Sequence, residues 1–153
     1  GEGVKEKWFL GNSTHVVDLV FYLGGLPKEF QFYTSGQLSW HPSACVFSGA
    51  GITEKGILFN YGSNWAAPGR WGIELMTNKH RLYLKPMEKL SIQNIGSLTV
   101  GDYQIDDNLD VKFKPGLYRM IKAFLEEDYS RFLDIESQLR MYEIYTQMAN
   151  YKD

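Results

Sequence analysis

Apolar positions in residues 9–25, FLGNSTHVVDLVFYLGG, come too thickly to form one stripe. Val16, Val17, Leu19, Val20, Phe21 and Leu23 predict a short helix over residues 14–23 that is covered on most sides. Asn12 and Ser13 ahead of it can accept hydrogen bonds from the free N–H groups of a first turn, and Gly24, Gly25 and Pro27 stop it. Period-two alternation takes over downstream. Residues 29–34 (EFQFYT), 44–48 (ACVFS) and 57–61 (ILFNY) read as short strands, with 49–56 a loop between the last two. Residues 71–77, 80–86 and 89–94 continue the series, Leu82 and Leu84 alternating against Arg81, Tyr83 and Lys85.

These connections are short, so the middle of the chain predicts a run of about five antiparallel strands; parallel pairing needs long crossovers. Residues 101–110 (GDYQIDDNLD) are acidic and read as a surface loop. Pro115 is placed to open a helix whose apolar face is Leu117, Met120, Ile121, Phe124 and Leu125, and Glu126 to Asp128 end it. A last helix starts near Asp134 and runs towards Asn150 on a stripe of Ile135, Leu139, Tyr142, Tyr145 and Ala149. The expected fold class is α+β: an open, mainly antiparallel sheet with helices on one face, the other face left for water or a partner.

Length and charge narrow the function. At 153 residues the chain can bury one sizeable core, and a single domain over 1–153 is expected. Sixteen basic against eighteen acidic side chains give a net charge of -2, which removes the motive for a nucleic-acid or anionic-membrane surface. No apolar run reaches the roughly 20 residues that span a bilayer, and no signal peptide stands at the start, so a cytoplasmic protein is expected. The opening GEGVKEKW has no initiator methionine and reads as an internal start in something longer. Aromatic residues make up 15% of the chain, enough to line an interface or a ligand wall, or to fill a two-layer core.

Candidate chemistry is sparse. His15 falls in the first turn of the opening helix, where unpaired N–H groups disfavour imidazolium, so the ring is expected neutral and able to accept a proton. Asp18, three residues on, lies on the same side and is placed to orient it. The NYGSNWAAPGRW segment offers Asn64, Trp65 and Arg70 as donors and an aromatic face for a hydroxylated ligand, and Asn12 adjoins the histidine helix. His15, His41 and His80 lie far apart with no ligand spacing, and Cys45 stands alone, so no metal site is expected. The glycines of GAGITEKG do not make a dinucleotide loop, because Glu54 takes the place of the third glycine. No cofactor site is expected in this chain.

Three segments, in order, resemble the C-terminal domain of Gfo/Idh/MocA-type oxidoreductases, the glucose-fructose oxidoreductase and inositol dehydrogenase type. FLGNSTHVVDLVFYLGGLPKEF is similar to that domain's H-x-x-D-x-x-x-x-x-x-G-x-P segment, with His15, Asp18, Gly25 and Pro27 on the motif. WGIELMTNKHRLYLKP resembles its strand-turn-strand signature, and KPGLYRMIKAFLE with the long helix after it resembles its ending. The likeness runs over residues 9–151. It implies an open antiparallel sheet whose exposed face pairs subunits into a homodimer or tetramer. It also implies an N-terminal Rossmann domain in the same longer protein, holding NAD or NADP. On that pattern His15 is the acid/base for hydride transfer at a sugar or cyclitol carbon, and Asp18 is structural or orienting.

The chain departs from the pattern at Gly11, where many members carry Asp, and at Thr77 and His80 in place of hairpin glycines. Neither a Rossmann domain nor the family's E-K-P lysine segment stands in these residues, so the chain alone is expected to be inactive. A non-catalytic scaffold domain of the same fold and a free-standing carbohydrate-binding module are the alternatives.

Overall fold

The computed structural model describes residues 2–152, and of Glu2 only the backbone. Two compact units are formed, one from residues 2–69 and 135–152, the other from Arg70–Asp134. Each holds one open antiparallel sheet, and the chain is α+β as the alternation predicts.

The first unit begins with helices α1 (Glu2–Glu6), α2 (Trp8–Asn12) and α3 (Thr14–Gly24). The third coincides with the predicted helix. Its expected capping does not occur: Ser13 is helical, its side chain makes no cap bond, and its own N–H donates to the Phe9 carbonyl at 2.9 Å. The helical path therefore enters from α2, because Phe9, Ser13, Val17 and Phe21, spaced by four, extend one buried row back past the predicted start. Gly25 ends α3 with φ of 88° and an N–H donated to the Phe21 carbonyl, a backbone shape that glycine alone adopts without strain.

Strands β1 (Pro27–Ser35), β2 (Val46–Thr53) and β3 (Leu58–Asn64) pair antiparallel in that order. The register sorts the side chains. Phe30, Gly51 and Phe59 form one row on the inner face and Phe32, Gly49 and Tyr61 the next; Gln31, Ala50 and Asn60 lie on the other face, as do Tyr33, Ser48 and Gly62. The expected loop over 49–56 is thus largely strand. Gly49 and Gly51 sit in β2 because the Tyr61 ring and the Phe30 side chain occupy the space where their Cβ atoms would be.

Helix α6 (Ile135–Met148) completes this unit, and with α2 and α3 it covers the inner face. The core is Phe9, Val17, Phe21, Ala44, Phe47, Met141, Tyr145, Met148 and Ala149. The predicted α6 stripe is displaced: Tyr145 and Ala149 are buried, but Met141 and Met148 complete the row, while Ile135, Leu139 and Tyr142 are exposed. The helix carries apolar residues on two adjacent stripes, and spacing alone does not choose between them.

The second unit is a sheet of β4 (Ile73–Met76), β5 (His80–Leu84), β6 (Leu90–Asn94) and β7 (Val100–Tyr103), in that order. One face carries Leu75, Leu82 and Ile92 in register; the other is a polar lattice in which Tyr83 Oη donates to Gln93 at 3.0 Å and Ser91 Oγ to Asp102 at 2.9 Å. Strand β7 occupies part of the expected acidic loop, and α4 (Asn108–Lys112) another part. Helix α5 (Leu117–Leu125) starts two residues beyond Pro115, with Gly116 at φ of 74° as the residue before it. Among the described residues, seven strands in two sheets replace the expected run of about five.

Candidate functional site

His15 is exposed at the second position of α3, and Asp18 one turn on is half-buried. Since α2 leads directly into α3, the free N–H groups invoked for the histidine lie at the start of α2 instead. Asp18 accepts a short hydrogen bond from Tyr145 Oη, tying α3 to α6. Burial first, then that bond and the carboxylate charge, push the Tyr145 phenol well above the ordinary tyrosine range.

One helical face gathers the candidates. Trp8, Asn12 and His15 are spaced by four and then three along the α2–α3 path, with Gly11 between the first and the last, all turned away from the buried row of Phe9, Ser13, Val17 and Phe21. A Cβ at Gly11 would meet only Val4 Cγ1, at 4.0 Å, so this stretch is open. Beyond it Trp8 meets Trp40 edge to face at 6.2 Å, and Trp40 stacks on Trp65 at 5.9 Å with planes 8° apart. Trp40 remains 37% exposed.

Under these indoles lies His41, fully buried, its ring 4.7 Å from Trp65. The Ala44 carbonyl 2.5 Å from Nδ1 can only accept, so Nδ1 carries the proton and Nε2 accepts from Tyr151 Oη at 2.8 Å. Tyr151 Oη in turn accepts the Phe9 N–H at 3.0 Å, meeting an otherwise free donor at the start of α2. Every polar atom of this chain of bonds is satisfied, which makes His41 the keystone under the Trp8–Trp40–Trp65 cluster and not a proton-transfer group. Its sequence setting, Trp40-His41-Pro42, reads as a turn or a strand lead-in; nothing local announces a partner 110 residues away.

The other predicted residues fall elsewhere. Asn64 is exposed, and its Oδ1 accepts the Ala66 N–H at 2.9 Å, closing a turn. Trp65 packs against Phe9 and Phe47 as part of the core wall. Arg70 is exposed in the second unit. Among the described residues no group of three or more His, Cys, Asp or Glu side chains is placed to hold a metal ion, and no helix is long and apolar enough to cross a membrane. Gly49 and Gly51, lying in a strand beneath side chains, form no cradle for a dinucleotide phosphate.

No protein-family model matches the chain, and no curated protein matches it. Among solved structures it is similar to one named a "putative NADPH-dependent oxidoreductase", from Desulfitobacterium hafniense DCB-2, with a TM-score of 0.69 and 15% identity over 91% of this chain. The chain spans 43% of the length of that protein. At this identity the likeness is one of fold.

Proposed function

We propose that residues 1–153 act as one substrate-binding and oligomerisation domain of an NAD- or NADP-dependent sugar or polyol oxidoreductase of the Gfo/Idh/MocA type, working in the cytoplasm. The observation that carries the reading is His15: an exposed imidazole on the open face of a helix whose opposite face is core, in a fold shared with part of a longer protein named as an oxidoreductase. The hydride carrier belongs, in this reading, to a separate nucleotide-binding domain of the longer protein, since the glycines here do not fit a dinucleotide.

His15 holds the proton of the reacting hydroxyl: in the oxidation direction it takes that proton, and in reduction it returns it. Asn12, half-buried one turn before it, is the nearest amide on the same face for hydrogen bonding a neighbouring hydroxyl. Asp18 positions α3 through Tyr145 and orients the histidine through the helix it anchors. Asn64 at the end of β3 and Trp65 just beyond it lie in the same unit as His15 and are the further substrate-binding candidates of that unit. Pairing of subunits uses a sheet face, for which the half-buried row of Leu75, Leu82 and Ile92 offers an apolar strip.

The test is His15→Gln in the full-length protein, assayed by hydride transfer to or from the nicotinamide with a panel of hexoses and cyclitols. A drop in kcat of about a hundredfold or more with KM nearly unchanged is expected for loss of a proton-transfer group. A variant with wild-type kcat would overturn the assignment.

A further inference from the structure

The open face of the α2–α3 path does not end at His15. From His15 back to Trp8 is seven residues, about 10 Å of helical rise, and the gap is floored by Gly11, where no side chain projects. That span exceeds one hexose ring and suits two linked rings. At its far end stand flat aromatic surfaces held rigidly from behind. Trp40 gives one face to the Trp65 stack and meets the Trp8 and His41 rings at steep angles, yet it stays 37% exposed, and Trp8 beside it is half-buried. Trp65 is backed by Phe9, Phe47 and the fully buried His41, which fixes the whole set.

A sugar ring presents an apolar face of C–H groups and a rim of hydroxyls, and an immobile indole pairs with the former at little entropic cost. Asn12, half-buried between the two ends, supplies an amide for the rim. We infer that Trp8 and Trp40 form a stacking subsite for a second sugar ring, so that the ligand of this surface is a disaccharide or glycoside whose reacting ring lies at His15 and whose other ring crosses Gly11 onto the indoles. This rests on the substrate reading of His15 but is tested apart from it.

The experiment titrates this chain with glucose, cellobiose and maltose, following tryptophan fluorescence and heat. At least one disaccharide is expected to bind about tenfold or more tightly than glucose, the contribution of one stacked ring. Trp8→Ala should remove that margin. Gly11→Leu should remove it too while leaving the fold intact or more stable, because leucine is the better helix former at an open helical position. A chain that binds glucose and both disaccharides alike, or binds none, overturns the inference, as does a margin that survives both variants. His15→Gln should keep the margin, so loss of the redox reading and loss of this subsite give different results.

Discussion

Two tyrosines of the first unit show how a buried hydroxyl is worth what its partners make it. Tyr151 Oη stands between the His41 ring and the Phe9 N–H, while Tyr61 Oη is buried with no hydrogen-bond partner among the described residues. Removing the first hydroxyl leaves a buried imidazole nitrogen and a buried amide unpaired; removing the second strands nothing. Tyr151→Phe is therefore expected to cost about 2 kcal/mol, and Tyr61→Phe to leave stability unchanged or raise it by up to about 1 kcal/mol, in chemical denaturation. Equal effects would mean that the His41 bonds do not hold the two chain ends together. The place of His15 in the first turn of α3 was legible at this scale, because a lone polar ring at the start of an apolar run stands out. His41 was not, since its meaning lies in Ala44, Tyr151 and three indoles brought together by the fold.

Strand β2 carries the clearest lesson about elements. Its GAG run has turn composition, and the residues read as a loop, yet they are the centre of the first sheet. The signal was in the neighbours: Phe30, Phe32, Phe59 and Tyr61 alternate on the flanking strands, and their bulk needs bare backbone between them. A matched pair tests this. Gly49→Ala drives a methyl into the Gln31 carbonyl and the Tyr61 ring and should cost about 2 kcal/mol. Gly62→Ala, on the outer face with open space around its Cβ position, should raise stability by about 0.5 kcal/mol through the unfolded state. Thermal melts of the two variants giving the same sign would contradict the packing. Helices were easier to read than strands here because α3 and α5 repeat over several turns, whereas β7 is four residues of mixed polarity whose place is set only by pairing with β6. The misread stripe of α6 has the same cause, since two apolar rows were available and the core contacts made the choice.

For the molecule as a whole, the consequence of this aromatic packing is a stability that depends on pH at the alkaline end. Burial pushes the Tyr61 phenol up to about 12, and pushes Tyr151 up to about 12 against the opposing Phe9 hydrogen bond; Tyr145 is raised further by burial and by Asp18. All three belong to the unit of residues 2–69 and 135–152. A phenol whose folded pKa lies above the ordinary value near 10 keeps its proton in the folded state where the unfolded chain has released it. Its stabilising contribution is whole below about pH 10 and drains away as pH rises through the folded values. The Lys89–Asp107 pair of the other unit, which raises the lysine and lowers the aspartate, shifts the lysine limb the same way, but it is exposed and contributes little. Melting temperature is therefore expected to hold level to about pH 10 and to fall steeply between there and pH 12, with uptake of about one proton per raised tyrosine on folding. Tyr61→Phe and Tyr151→Phe should each make that fall shallower, even though the first spares stability at neutral pH and the second does not. A profile that both variants leave as steep as the wild type would show that these phenols are not the groups that titrate. It would also mean that water reaches the Tyr61 and Tyr151 hydroxyls in the folded state.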